Sequence, residues 1–291
     1  MSKYVPDIST RRWVILSPSR IVRPDQNGKN KKKNTCPFCP GNEDQAPDEL
    51  YRVGKGEKNK KGWKVRVVSN RYPITDIHEV IIHTPDCNTD LKDLSESQFK
   101  LILETYRSRF NAHKKDGQVL IFCNHGEHAG ASIAHSHSQL VVIPSQINLD
   151  LLNKEPLNNI VSEDKHFSVY CPDFSQWPYE LWILPKKEKT VFGDSTDAEI
   201  DSLSDILKKT LMRLHEIYKK NDFSIPFGYN FYINPKEGWY LRLTPRFTHR
   251  AGLELGTGLS VNIIDPIEAA LAYKGIDTKM QDVLSKLQRR F

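Results

Sequence analysis

Val119-Leu-Ile-Phe122, then Asn124-His-Gly-Glu-His-Ala-Gly-Ala-Ser-Ile-Ala-His-Ser-His-Ser-Gln139, then Leu140-Val-Val-Ile143, is the stretch on which the reading of this chain turns. The two apolar runs read as strands, and the small residues between them read as the loop that joins them. A strand alternates faces, so His135, His137 and Gln139 share one side. Gly126, Gly130, Ala131 and Ser132 leave room for backbone N–H groups to approach an anion such as a phosphate. A histidine beside an anion can serve as base, metal ligand or nucleophile. A surface loop merely rich in histidine is the weaker reading, because two histidines and Gln139 fall on one face beside the small-residue turn.

Outward from this stretch, one order of elements occurs twice. The first half predicts a strand (His78 to His83), a helix (Ser95 to about Lys114), a strand (Val119 to Asn124), the loop, and a strand from Gln139. The helix begins with the capping box Ser95-Glu-Ser-Gln98 and carries Phe99, Leu103, Tyr106 and Phe110 in one stripe. The second half predicts a strand (Glu180 to Leu184), a helix from Thr196 to about Lys220, and strands Tyr229 to Asn234 and Tyr240 to Leu243. Thr196-Asp-Ala-Glu199 caps that helix. Pro144 and Pro245, which end the last strands, lie 101 residues apart, and His78 and Glu180, which begin the first strands, lie 102 apart. The expected architecture is α+β, with two tandem copies of an antiparallel sheet and crossover helix. Residues 1–150 form the first unit and 151–291 the second. Sliding by 101 sets Lys236, Gly238 and Tyr240 against His135, His137 and Gln139, so the second copy lacks the histidine pair and one reactive centre is expected.

Cys36-Pro-Phe-Cys39-Pro-Gly is a knuckle that can aim two thiolates at one ion. A tetrahedral zinc site needs two more ligands, for which His135 and Cys87, in the turn Thr84-Pro-Asp-Cys87, are the best placed. His78, His83 and His128 compete. Cys123 and Cys171 read as small packed residues.

The chain of 291 residues has 38% hydrophobic and 27% charged residues, ordinary for a globular protein. It has no apolar run of membrane-spanning length and no secretory-type apolar segment at Met1-Ser-Lys-Tyr-Val, so a cytoplasmic protein without membrane attachment is expected. The net charge of +6 comes largely from Asn27-Gly-Lys-Asn-Lys-Lys-Lys-Asn34 and Lys55-Gly-Glu-Lys-Asn-Lys-Lys-Gly62, which read as solvated loops rather than a nucleic-acid surface.

The pattern Asn124-x-Gly-x-x-x-Gly130-x-Ser132-x-x-His135-x-His137-x-Gln139 resembles the signature of galactose-1-phosphate uridylyltransferases, the transferase branch of the histidine-triad superfamily. Trp13 to Pro24, Cys36 to Gly41, Ser69-Asn70, Trp177-Pro-Tyr-Glu180 and Gly252-Leu-Glu254-Leu-Gly-Thr-Gly258 follow in the order of that family. The resemblance implies that His137 attacks the α-phosphorus of a UDP-sugar and holds the nucleotidyl group. A second sugar 1-phosphate then accepts that group, exchanging UMP between UDP-glucose and galactose 1-phosphate. Gln139 would stabilise charge on the phosphoryl oxygens. Arg20, Arg23, Asn124, Gly130 and Ser132 would hold phosphates, while Asn70 and Glu254 would face substrate. Cys36, Cys39, Cys87 and His135 would hold one structural Zn2+, with Cys87 where many members have histidine. A homodimer is implied as well.

Ser136 stands where uridylyltransferases commonly have proline, and the His-Ser-His-Ser-Gln form also resembles ADP-glucose phosphorylases, which carry an adenylyl group on the same histidine. A nucleotide hydrolase of the superfamily is disfavoured by Gln139, where that branch has a third histidine. A zinc nucleic-acid-binding module would leave His137 without a role. The strand Gly238-Trp-Tyr-Leu-Arg242 offers no histidine for a second metal, and Glu163, Glu180 and His249 remain stray candidates, structural or substrate-facing.

Overall fold

The computed structural model describes residues 2–10, 12–22, 36–149, 152, 154–221 and 223–276. Strands β1 (Lys3–Asp7) and β2 (Arg12–Leu16) form a small hairpin. The body of the protein comprises β3 (Glu49–Gly54), β4 (Trp63–Ser69), β5 (His78–Ile82), α1 (Glu96–His113), β6 (Gln118–His125) and β7 (His137–Ile143). It continues through β8 (Ile160–Glu163), β9 (Phe167–Tyr170), β10 (Leu181–Pro185), α2 (Asp197–Lys220), β11 (Tyr229–Ile233), β12 (Leu241–Pro245), α3 (Gly252–Thr257) and α4 (Pro266–Tyr273). Ten strands make one antiparallel sheet in the order β3-β4-β5-β7-β6-β11-β12-β10-β9-β8. The order reads alike from either edge, so the two copies of the α+β unit are joined through β6 and β11.

The helix caps follow from sequence. Ser95 accepts a hydrogen bond from the Gln98 amide, and Thr196 with Glu199 completes a reciprocal capping box. The Gln98 side chain departs from the expected box. It donates instead to the carbonyl oxygens of Lys64 and His83, 2.9 and 2.6 Å away, and so ties α1 to the sheet. The apolar stripes Phe99, Leu103, Tyr106, Phe110 and Ile200, Leu203, Leu207, Leu214 are buried against Ile81, Ile121, Leu140, Phe231 and Leu241, on one face of the sheet. Alternation sends His78, Val80, His137, Gln139, Tyr240 and Arg242 to the other face.

Strands β3, β4, β8 and β9 were not expected from sequence. In β3 and β4 the alternation is broken by Arg66, which is fully buried because its Nε donates to Glu49 Oε2 at 3.0 Å. The lysine-rich stretch 55–62 is the turn between these two strands, whereas 27–34 lies outside the described residues. Strands β8 and β9 span only four residues each.

Strand register corrects the offset of 101. Val80 pairs with Gln139 across β5/β7, and Trp182 pairs with Arg242 across β10/β12. Diagonal to these pairs, His78 bonds Gln139 and Glu180 bonds Arg242. The counterparts of His78, His137 and Gln139 are therefore Glu180, Tyr240 and Arg242, the last two lying two residues beyond the slide made from the prolines. Histidine is still missing at these positions. Glu180 and Arg242 form a buried bidentate ion pair at 2.7 and 2.9 Å, and Trp182 Nε1 donates to the same carboxylate. Glu180→Ala strands a buried guanidinium and is expected to lower stability by about 3–5 kcal/mol, read from urea denaturation.

Candidate active site

At the start of β7 the chain passes from a thiol cluster to a cavity within three residues. The Cys36–Cys39 knuckle is closed by Cys39 N–H to Cys36 O and by Asn42 Nδ2 to Cys36 O, 3.2 and 2.9 Å. His135 Nε2 lies 2.7 Å from the carbonyl oxygen of Thr84, which can only accept, so Nε2 carries the proton. Its Nδ1 lone pair then faces Cys36 Sγ at 3.5 Å and Cys39 Sγ at 3.7 Å. With Cys87, the four ligand atoms lie within 4.8 Å of one another. A tetrahedral shell with sulfur at about 2.3 Å has edges of about 3.8 Å, so the set fits a zinc-sized ion. Burial pushes the Cys36 thiol up, and burial with the adjacent Cys87 and Cys36 thiols pushes Cys39 to about 12. A bound cation would relieve that penalty. The competing histidines are engaged elsewhere: His78 at Gln139, His83 in the core, and His128 edge-on to His249 at 5.4 Å.

His137 follows directly. Its Nδ1 is 2.8 Å from the carbonyl oxygen of His135 and donates to it, which makes Nε2 the basic atom of the ring. The Phe38 ring meets both imidazoles edge-on, at 6.1 and 5.4 Å between centroids. Behind them His83 is fully buried. Its Nδ1 is 2.9 Å from Ser136 Oγ, and its Nε2 is 2.9 Å from both Ser138 Oγ and Tyr106 Oη. The Cys123 thiol donates to the His137 carbonyl at 3.4 Å.

Gln139 is oriented by a residue whose role the sequence did not reveal. The Ile74 amide donates to His78 Nδ1 at 2.9 Å, so His78 Nε2 carries a proton and donates to Gln139 Oε1, also at 2.9 Å. Asn70 Nδ2 approaches the same oxygen at 3.4 Å. With its carbonyl occupied, Gln139 presents its NH2 group. His78 lies in a strand apart from the motif, and only the cross-strand register brings it here.

His137 and Gln139 line a cleft that is open at its mouth, with Phe38, Val68, Asn70, Tyr72 and Ser132 among its walls. A second hollow that also reaches His137 is lined by Asn124, Gly126, Ala131 and Asp90. Gly126 and Gly130 have φ of +87° and +84°, and a Cβ on Gly126 would meet the Phe227 carbonyl oxygen at 2.7 Å. The amides of Ala129, Gly130 and Ala131 donate to carbonyls of Gly126, Glu127 and Gly126. The Gly130 and Ala131 amides are thus spent on the loop's own turn, while Ser132 lines the cleft and Asn124 the second hollow.

The remaining predicted residues divide. Arg20 Nη1 donates to the carbonyl of Tyr72, at the rim of the cleft. Arg23 lies outside the described residues. Glu254 lines neither cavity, and its carboxylate accepts from the Ala251 amide at the start of α3. Glu163 accepts from Ser168 at the sheet edge.

Known proteins resemble this chain in sequence and in fold. A family described as "Domain of unknown function (DUF4931) N-terminal domain" matches residues 19–146. The ADP-glucose phosphorylase of Arabidopsis thaliana is 29% identical, covering 91% of this chain and 90% of its own. The galactose-1-phosphate uridylyltransferase of Thermotoga maritima is 24% identical, covering 90% and 94%. The crystal structure of the Arabidopsis thaliana ADP-glucose phosphorylase with bound ADP-glucose superposes with a TM-score of 0.70 at 25% identity, over 96% of this chain and all of that one. Fold and relatives together define a nucleotidyltransferase with the histidine-triad fold. Within that class the chain is similar to both the galactose-1-phosphate uridylyltransferases and the ADP-glucose phosphorylases. Among the described residues no helix is long and apolar enough to cross a membrane.

Burial drives the His83 imidazole well below its ordinary range, with the neighbouring His137 and His135 rings acting in the same direction. The unfolded chain therefore binds a proton that the folded chain refuses. The stability from neutral His83 is present above pH ~6.5 and is lost as pH falls below it. His83→Gln is expected to flatten the acid limb of stability against pH, measured by thermal melts between pH ~8 and ~5.

Proposed function

We propose that this enzyme moves a nucleotidyl group from a nucleoside-diphosphate sugar to a phosphate acceptor by double displacement on His137. The observation that carries the reading is the pair of fixed orientations at the cleft: His137 Nδ1–H held by the His135 carbonyl and Gln139 Oε1 held by His78. His137 Nε2 attacks the α-phosphorus, a P–N bond forms, and the bond to the bridging oxygen breaks as sugar 1-phosphate leaves with the electron pair. An acceptor phosphate oxygen then attacks the same phosphorus, the P–N bond breaks, and the imidazole is regenerated. Two steps through a nucleophilic, neutral imidazole replace one difficult exchange. The Gln139 NH2 donates to a nonbridging oxygen as charge builds, and Asn124, Ser132, Arg20 and Arg23 hold the phosphates. Zinc on Cys36, Cys39, Cys87 and His135 is structural. It fixes the residue whose carbonyl orients His137.

An ADP-glucose-type donor with inorganic phosphate as acceptor is the leading substrate pair. It is supported by the His-Ser-His-Ser-Gln form and by 29% identity to ADP-glucose phosphorylase, against 24% to the bacterial uridylyltransferase. The exchange of UMP between UDP-glucose and galactose 1-phosphate is the second reading, favoured by the order of motifs from Arg20 to Glu254. In this account residues 1–150 carry chemistry and metal, and 151–291 support them. Leu253, Leu255, Leu259, Val261 and Ile263 are exposed and would suit the contact of a cytoplasmic homodimer.

His137→Ala is expected to abolish transfer and labelling while zinc content stays near that of the wild type. Gln139→Ala is expected to lower kcat roughly 10²–10³-fold. His78→Ala should lower kcat in both half-reactions with little change in KM. Combining it with Gln139→Ala should add almost nothing, since both remove one oriented amide. Additive losses would show that His78 acts otherwise. Initial rates with ADP-glucose and UDP-glucose side by side decide the nucleotide.

A further inference from the structure

On the second repeat, past the Asn124 end of the loop, two arginines lie over one indole. The guanidinium carbons of Arg246 and Arg250 are 4.3 and 4.7 Å from the centroid of Trp177, which is 9% exposed. Arg246 Nη1 donates to Asn230 Oδ1 at 3.1 Å, while its Nε is buried and has no partner among the described residues. Arg250 Nη2 donates to Gln176 Oε1 at 3.0 Å and to Ser260 Oγ at 3.3 Å. Among the described residues neither guanidinium has a carboxylate within salt-bridge distance, in contrast to Arg242 nearby. Glu254 is the acidic group that Arg250 influences, and its oxygen is engaged by the Ala251 amide.

Two cations held on one aromatic ring with neutral partners repel each other, and an anion bound between them would offset that repulsion. Burial and the Arg250 charge depress the Arg246 pKa, in keeping with that repulsion. Guanidinium forks match phosphate oxygens. The pair is also wired to the proposed phosphate loop. Asn230, which holds Arg246, donates through Nδ2 to Asn124 Oδ1 and to the Ala129 carbonyl, both at 2.8 Å.

We propose that Arg246, Arg250 and Trp177 form a phosphate-binding site outside the His137 cleft. Its ligand is either a distal phosphate of a substrate held at His137 or free inorganic phosphate. The choice of phosphate rests on the nucleotidyl-transfer reading, whereas binding itself is tested without turnover.

Inorganic phosphate is titrated into wild type, Arg246→Gln, Arg250→Gln and the double variant, followed by calorimetry and tryptophan emission. Near-ultraviolet circular dichroism checks that each variant is folded. The expected result is an emission change that Trp177→Phe removes, and phosphate affinity weakened roughly tenfold or more in the double variant. Unchanged affinity in the folded double variant overturns the site, as does the absence of phosphate binding by wild type. A raised donor KM in the variants identifies a substrate phosphate, and an unchanged KM with lost phosphate binding identifies the free ion. A failure to label His137 would sink the transfer reading and leave the titration standing.

Discussion

The hydrogen bond from His137 Nδ1 to the carbonyl oxygen of His135, at 2.8 Å, ties the thiol–imidazole cluster and the cleft together. His135 is held from two sides, by the thiols at its Nδ1 and by the Thr84 carbonyl at its Nε2. A residue fixed in that way has a fixed carbonyl. That carbonyl then sets both the tautomer and the tilt of the ring two residues on. The spacing His-x-His, with His135 just ahead of β7, brings the His135 carbonyl within reach of the His137 ring. Phe38, from the knuckle that supplies the thiols, packs on both rings and leaves little freedom for either.

The same face of the sheet carries two versions of one arrangement. In the first repeat a neutral pair, His78 and Gln139, leaves an amide directed outward. In the second, Glu180 and Arg242 satisfy each other as a buried ion pair. A closed ion pair stabilises the fold and has little left to offer a ligand, whereas an amide with one half engaged still has two hydrogens to donate. The divergence of the two repeats is thus visible in the chemistry of two side-chain pairs.

Much of this was legible in the sequence. The helix caps, the apolar stripes and the strands around the histidine loop depend on local pattern, and they stand within a few residues of expectation. The four thiol and imidazole ligands were chosen from spacing together with a resemblance, and they meet. What sequence could not supply depends on register and on pairing across distance. Arg66 disguised β4 because its neutralising Glu49 lies in another strand. The offset between repeats is displaced by two residues at the last strand because Pro245 is the last paired residue of β12, whereas Pro144 follows the end of β7. His78 looked like a rival metal ligand until the Ile74 amide and Gln139 were seen on its two nitrogens. The loop amides are expected from sequence to face an anion, yet those of Gly130 and Ala131 close the turn that Gly126 begins.

The central claim is that His137 carries the nucleotidyl group between donor and acceptor. The most direct test is the stereochemistry at the α-phosphorus, followed with a donor chiral at phosphorus through sulfur substitution of one nonbridging oxygen. Two in-line displacements predict net retention of configuration in the product nucleotide. Net inversion would mean that the acceptor attacks the donor directly, with His137 never bonded to phosphorus.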